Sequence, residues 1–279
     1  MIGLLDIGGT KLLAAAAPHG GPPGAARRRP TPREAPLEVV CAMLDELRGG
    51  RELEGIGLAV PGPFDRDQGS LINPPGMPPS WHGLRLRAEL GDRYGCPVEI
   101  ENDANCAALA EAHHGAGRGQ RTLVYFTVST GIGTGVVRDG RVVIGRHDTE
   151  GGHQVLWPSW LGGPPCDCGG AGCLETLASG RALKRRFGRR AEDIEDQAVW
   201  DELGRWLGLA AINATALLDP DCIVYGGGVC ARWDSFAASL MATVQAGLHL
   251  QPQPRLALAT LGEDRNLWGA LELIRPAST

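Results

Sequence analysis

The chain has 279 residues, of which 43% are hydrophobic and 21% charged, with a net charge of −5. That length buries a large core and favours two domains over one. The acidic balance gives no global attraction to nucleic acid or to an anionic membrane surface, no apolar run is long enough for a bilayer, and no leader pattern is expected. The expected location is therefore a reducing cytoplasm, where the eight cysteines are thiols or metal ligands rather than a disulfide framework.

In chain order, Ile2–Ile7 and Leu12–Ala17 flank a Gly-Gly turn and read as a hairpin. Residues 18–36, rich in Pro, Gly and Arg, read as a loop. Leu37–Arg48 is helical, with Val40, Met43, Leu44 and Leu47 on one face. Gly55–Val60 reads as a buried strand ending at Pro61, Leu84–Tyr94 as a helix, Val98–Glu101 as a strand and Ala104–His114 as a helix. Gly115–Gln120 is a glycine-rich break and the candidate domain boundary. Thr122–Val128 opens a second strand set, and Asp139-Gly140 supplies the positive φ angles for a tight hairpin between Val136–Arg138 and Arg141–Val143. Beyond a cysteine-rich loop come a helix at Ala198–Leu218, a strand at Cys222–Tyr225, and helices at Trp233–Leu248 and Leu267–Ile274. The basic run Arg185–Arg190 reads as solvated surface. The expected organisation is two α/β domains with a cleft between them. Residues 1–115, completed by a C-terminal helix at about 266–279, form the small one. Residues 116–265 form the large one. Each half opens with a strand running into a glycine loop, which hints at a duplicated core.

Three glycine loops follow apolar strands. In Asp6-Ile7-Gly8-Gly9-Thr10-Lys11, paired glycines let backbone N–H groups form an anion-binding concavity; Thr10 adds a hydroxyl and Lys11 a cation. Asp6 is placed to hold Mg²⁺ through water, as that ion keeps most of its waters. Ser129-Thr130-Gly131-Ile132-Gly133-Thr134-Gly135 repeats the logic, and Gly226-Gly227-Gly228 is the third. None is a Walker loop or a dinucleotide fingerprint. Each alone is equally readable as a turn; three together point to a nucleotide.

Glu101-Asn102-Asp103-Ala104-Asn105 stands at a strand end before a helix. Asp103 reads either as an N-cap or as a carboxylate able to accept a proton from a hydroxyl, and Asn102 as a donor and acceptor for neighbouring hydroxyls. Glu101 is expected to matter far less. His153, Cys166, Cys168 and Cys173 are spaced His-x12-Cys-x-Cys-x4-Cys with interleaved glycines. Three thiolates and an imidazole make a closed tetrahedral set, the arrangement of structural zinc. Cys41, Cys96, Cys106, Cys222 and Cys230 read as packing residues.

The sequence resembles the ROK family (repressors, open reading frames and kinases) of the actin/hexokinase-like ATPase superfamily, from Ile2 to about Ile274. Asp6–Lys11 is similar to its first phosphate loop, Ser129–Gly135 to its second and Tyr225–Val229 to its adenosine loop, while Glu150-x-Gly-His153 and Cys166–Glu175 are similar to its zinc signature. The resemblance implies actin-like, ribonuclease H-like domains flanking a central cleft. It implies ATP contacts at Asp6, Gly8, Gly9, Thr10, Lys11, Thr130, Gly131, Gly133, Gly227 and Gly228. It makes Asp103 the base and Asn102 a sugar ligand, with Gly62, Asn73, Glu150, His153 and Glu175 also contacting sugar. The implied activity is ATP-dependent phosphorylation of a hexose, glucose first, with Mg²⁺ and a structural Zn²⁺, in a homodimer. Fructose, mannose, allose and N-acetylhexosamines stay open as substrates, polyphosphate as donor, and sugar sensing without catalysis as a role. A DNA-binding repressor would carry a helix-turn-helix ahead of Asp6, where there is no room.

Overall fold

A computed structural model describes residues 1–275; the last four residues of the helix expected at about 266–279 lie outside the described residues. The chain divides into two compact units, one of Met1–Ala110 joined by the segment from Leu261 onward, the other of Glu111–Thr260.

The first unit begins with β1 (Ile2–Ile7) and β2 (Lys11–Ala17), an antiparallel hairpin closed at Gly8 by its N–H to the Lys11 carbonyl, 3.0 Å. The segment expected as a loop contains a third strand, β3 (Arg27–Pro30), which pairs with β2 between Lys11 and Ala14. Its arginines hid it: an edge strand needs no apolar alternation, and charge there blocks edge-to-edge association. Next come α1 (Pro36–Arg48), β4 (Gly55–Val60), a two-stranded arm of β5 (Phe64–Asp65) and β6 (Ser70–Leu71), α2 (Leu86–Tyr94) and β7 (Val98–Asn102). The sheet order is β3-β2-β1-β4-β7, with β1, β4 and β7 parallel. Helix α1 lays Val40, Met43 and Leu44, all buried, against one face of the sheet.

Helix α3 (Asp103–His114) leads into the second unit. There β8 (Thr122–Val128) and β9 (Ile132–Arg138) form a hairpin whose turn is only Ser129–Gly131. Gly133 and Gly135 are therefore strand residues, paired with Thr127 and Tyr125. Strand β10 (Arg141–Val142) follows the Asp139-Gly140 turn, where φ is 52° and 74° as expected of a tight hairpin. After α4 (Leu174–Ala178) and α5 (Gly180–Phe187) come the long α6 (Gln197–Leu218), β11 (Cys222–Gly226), α7 (Trp233–Gly247) and β12 (Arg255–Leu258). The order is β10-β9-β8-β11-β12, again with the last three parallel. Trp200, Leu203, Leu207 and Ala211 of α6 pack with Phe236 and Leu240 of α7 on this sheet.

Helix α8 (Arg265–Ile274) returns to the first unit, burying Leu267, Ala270 and Leu271 against Ile2, Leu4, Leu13 and Ala15 on the face opposite α1. The fit is close: a Cβ on Gly57 would lie 2.1 Å from the Ala270 carbonyl oxygen, and one on Gly269 would lie 1.9 Å from that of Cys106.

Candidate active site and metal centre

In the first unit the parallel strands place three site segments at one edge. Asp6, Ala59 and Glu101 are in register across β1, β4 and β7, so the residues just beyond them come out side by side. The carboxyl ends of parallel strands are where open α/β sheets bind ligands. Asp6 accepts a hydrogen bond from Asn266 Nδ2 of α8, 3.1 Å. Burial pushes its carboxyl above the usual range, against the pull of that bond and of Lys11 and Arg265. Gly8 is half-buried, whereas Gly9 and Thr10 face solvent. Lys11 Nζ is 3.0 Å from Glu263. Gly9 lies against the loop after Asn73: a Cβ there would stand 2.7 Å from the Gly76 carbonyl oxygen.

Gly62 and Asn102 meet, since a Cβ on Gly62 would be 3.3 Å from Asn102 Nδ2. Asn73 is exposed, and the N–H of the preceding Ile72 donates to the Pro63 carbonyl at 3.1 Å, which holds Asn73 beside the same turn. Its loop is pinned by Met77 and Trp81, both buried, and by Trp81 Nε1 donating to the Pro32 carbonyl, 2.9 Å. Asn102 Oδ1 and Asp103 Oδ1 each accept from the Ala104 N–H at 2.8 Å. Asp103 therefore does touch the helix start, as the cap reading has it. The residue is nonetheless half-buried rather than on open surface, and a carboxylate accepts at both of its oxygens.

Sequence reasoning undervalued the neighbour of this pair. Glu101 is 5% exposed and accepts from Arg66 Nη2 at 2.6 Å, from the Asn102 N–H at 2.7 Å and from Asn105 Nδ2 at 3.0 Å.

In the second unit the Ser129–Gly131 turn is held from behind. The Gly180 N–H donates to the Ser129 carbonyl at 2.7 Å and the Arg181 N–H to the Thr130 carbonyl at 3.1 Å, leaving both hydroxyl side chains exposed. Gly227 has φ +96°, and a Cβ there would lie 2.4 Å from the Val128 carbonyl oxygen. The two glycine loops line one cavity of about 500 Å³, whose walls include Ser129, Thr130, Gly228, Arg181, Lys184 and Arg190. Ligand pockets commonly have this size. The run Arg185–Arg190 is exposed along its whole length, as expected of a solvated surface, and its last residue, Arg190, also stands on the cavity wall. Helix α5 is capped by Ser179, which accepts from the Ala182 N–H at 3.1 Å, and Ala182 and Leu183 are buried.

Three of the residues expected to hold sugar, Glu150, His153 and Glu175, belong to this second unit. Glu175 Oε2 accepts from the Ile132 N–H at 2.8 Å, and a Cβ on Gly131 would stand 2.4 Å from it. The Glu150–His153 segment is clasped to β9 through Thr134, whose hydroxyl accepts from the Gly151 N–H at 2.8 Å and donates to the Thr149 carbonyl at 2.9 Å. Desolvation raises the Glu150 carboxyl above its usual range, with Asp148 and Glu175 adding to the shift and His153 opposing it. Glu150, His153 and Glu175 are thus electrostatic neighbours.

His153, Cys166, Cys168 and Cys173 bring their donor atoms within 4.8 Å of one another. His153 Nδ1 is 3.5 Å from Cys166 Sγ, and the Cys168 and Cys173 sulfurs are 3.7 Å apart. Sulfurs about 2.3 Å from one tetrahedral ion stand at nearly that separation, so the donor set fits zinc. Nδ1 faces the thiols, which leaves Nε2 for another partner. Gly169 and Gly172 have φ of +89° and +67°, and Gly172 packs where any Cβ would strike the Trp157 carbonyl. Burial pushes the Cys166 thiol up and the Cys173 thiol up to about 12, while the Gly170 backbone bond holds Cys168 down.

The ROK family model matches residues 2–277. The fold is similar to that of a ROK hexokinase from Thermus thermophilus, with 36% identity and TM-score 0.86 over 96% of both chains. It is also similar to a ROK family glucokinase from Streptomyces griseus in complex with glucose and AMPPNP, with 28% identity and TM-score 0.78 over 96% of this chain and 97% of that one. An N-acetylmannosamine kinase of Salmonella typhi is 31% identical over 95% of each chain.

Proposed function

This chain belongs to the ROK family and is a sugar kinase, and from that premise we propose that it transfers the γ-phosphoryl group of ATP to a hydroxyl of glucose, giving glucose 6-phosphate, with Asp103 as the base. The observation that carries this reading is the register that sets Asp6, Gly62 and Asn102-Asp103 at the ends of adjacent parallel strands. Asn102, Asn73 and the Gly62 turn hold the hydroxyl edge of the sugar. Glu150, Glu175 and His153 Nε2 bind its other hydroxyls, carboxylates accepting and imidazole donating or accepting. Asp103 takes the proton as the sugar oxygen attacks the γ-phosphorus, while the bond to the bridging oxygen of the leaving ADP breaks. Phosphoryl transfer asks the protein mainly for positioning and charge stabilisation.

Donor binding falls to Gly8, Gly9, Thr10 and Lys11 and to Thr130, Gly131 and Gly133 for the phosphates. Gly227 and Gly228 open the roughly 500 Å³ cavity for the nucleoside. Asp6 would hold, through water, the Mg²⁺ carried with ATP, which would supply charge neutralisation at the transferred group. His153, Cys166, Cys168 and Cys173 would hold a zinc ion that would fix the sugar-binding segment, and a reducing cytoplasm would keep those thiols available to it. We also read the protein as a homodimer.

The test is an ADP-release assay over a hexose panel, with Mg-ATP or polyphosphate as donor. Glucose with ATP is expected to give the highest kcat/KM. A clear preference for N-acetylmannosamine, a reading favoured by the Salmonella relative, would replace glucose as the substrate; no turnover on any sugar would sink the kinase assignment.

A further inference from the structure

Glu101 stands where three parts of the first unit meet. It is the penultimate residue of β7, the next two residues, Asn102 and Asp103, are the groups assigned to the sugar, and Arg66 reaches it from the β5–β6 arm at 2.6 Å. The arm is itself ordered: Arg66 lies over the Phe64 ring at 4.8 Å, and its carbonyl accepts from Arg87 Nη1 at 2.8 Å. A carboxylate buried to 5% exposure is expensive unless paired and hydrogen-bonded. Here one oxygen serves Arg66, the Asn102 N–H and Asn105 Nδ2. The first bond latches the arm whose root is the Gly62 turn. The second fixes the peptide that carries Asn102. The third fixes the opening turn of α3, which carries Asp103.

We infer that Glu101 is a positioning residue for the transfer: paired with Arg66, it sets the geometry of Asn102 and Asp103 and balances the charge beside the base. The inference rests on the reading of Asp103 as that base. The charged and titratable groups gathered round this end of β7 are Arg66 from the arm, Asp6 from β1, and Asp103 and the buried Cys106 thiol from α3. Removing one member of the Arg66–Glu101 pair shifts the balance of charge beside Asp103. Losing the carboxylate favours the ionised base and lowers its pKa; losing the guanidinium raises it.

The test is the pH profile of kcat. Glu101→Gln is expected to move the acidic limb to lower pH and Arg66→Met to higher pH, each by up to about one unit. The double variant Arg66→Met/Glu101→Gln returns the limb toward that of the parent. Glu99→Gln, on an exposed position of the same strand, leaves it unmoved. If the single variants do not fold, Arg66→Met/Glu101→Met decides, because an apolar pair generally replaces a buried ion pair without loss of stability. It retains the fold and loses the acceptor, and kcat/KM for sugar is expected to fall about ten- to a hundred-fold. A collapsed Asp103→Asn enzyme together with limbs that stay put, or move the same way in both single variants, overturns the role of Glu101 alone. So does parental kcat/KM in the double-Met variant. A fully active Asp103→Asn enzyme overturns both readings.

Discussion

The two five-stranded sheets share one wiring and carry different loads. Each runs from an antiparallel edge through a hairpin to three parallel strands, β3-β2-β1-β4-β7 in the first unit and β10-β9-β8-β11-β12 in the second. In the first, the parallel strand ends present Asp6, Gly62 and the Asn102-Asp103 pair. In the second, residues 129–131 and 227–229 offer hydroxyls, backbone N–H groups and no carboxylate of their own. The carboxylate brought against the second loop, Glu175, comes from α4. The difference teaches that a duplicated topology fixes where ligands meet the chain, while the residues just past each strand end decide the chemistry. Proton acceptance needs a carboxylate; an anion cradle is better without one.

The contrast breaks most sharply at Asp103. Asp103→Asn keeps the shape and the Ala104 bond but cannot take a proton. Its kcat is expected to fall about 10²–10⁴-fold, with sugar and ATP still binding in titrations. Near-parental turnover would remove the mechanism, and lost sugar affinity with kcat intact would recast Asp103 as a binding residue. The second unit is more exposed to metal loss. Cys168→Ser is expected to abolish one equivalent of zinc per chain and to destabilise by about 4 kcal/mol or more, as loss of a structural metal does, in metal analysis and thermal melts. Parent protein purified without chelators and free of zinc would discard the site. The smallest expected effect sharpens the comparison at the anion cradle. Gly227→Ala meets both a φ of +96° and the Val128 carbonyl, a strain of about 1–3 kcal/mol. The KM for ATP is expected to rise about ten-fold, with the KM for sugar unchanged; equal rises in both would tie Gly227 to the sugar instead.

Much of this arrangement was legible in the residues. Periodicity and glycine punctuation marked β1, β4 and β8 to within a residue, and the Asp139-Gly140 pair marked its own turn. The four residues that the fold gathers as candidate metal donors could be named because their spacing has few other uses. What stayed hidden lacked a periodic signal. Strand β3 is arginine-rich because it lies on an edge. Strand β12, Arg255–Leu258, is too short and too half-exposed to alternate. Lys184 and Arg190 line a cavity that only the packing of α5 against the Ser129–Gly131 turn creates. Glu101 looked incidental because its three partners sit 35, 1 and 4 residues away, and only the arm brings the first of them home.

Helix α8 carries a consequence for the order in which the molecule can be made. It is built from residues 265–274, yet it covers the inner strands of the N-terminal sheet and donates through Asn266 to Asp6. Residues 111–260 form a contiguous unit that can close as soon as they leave the ribosome. The strands synthesised first must instead wait, one apolar face uncovered, until α8 emerges. The loop that opens at Asp6 therefore matures late: its partner Asn266 is added 260 residues after Asp6 itself.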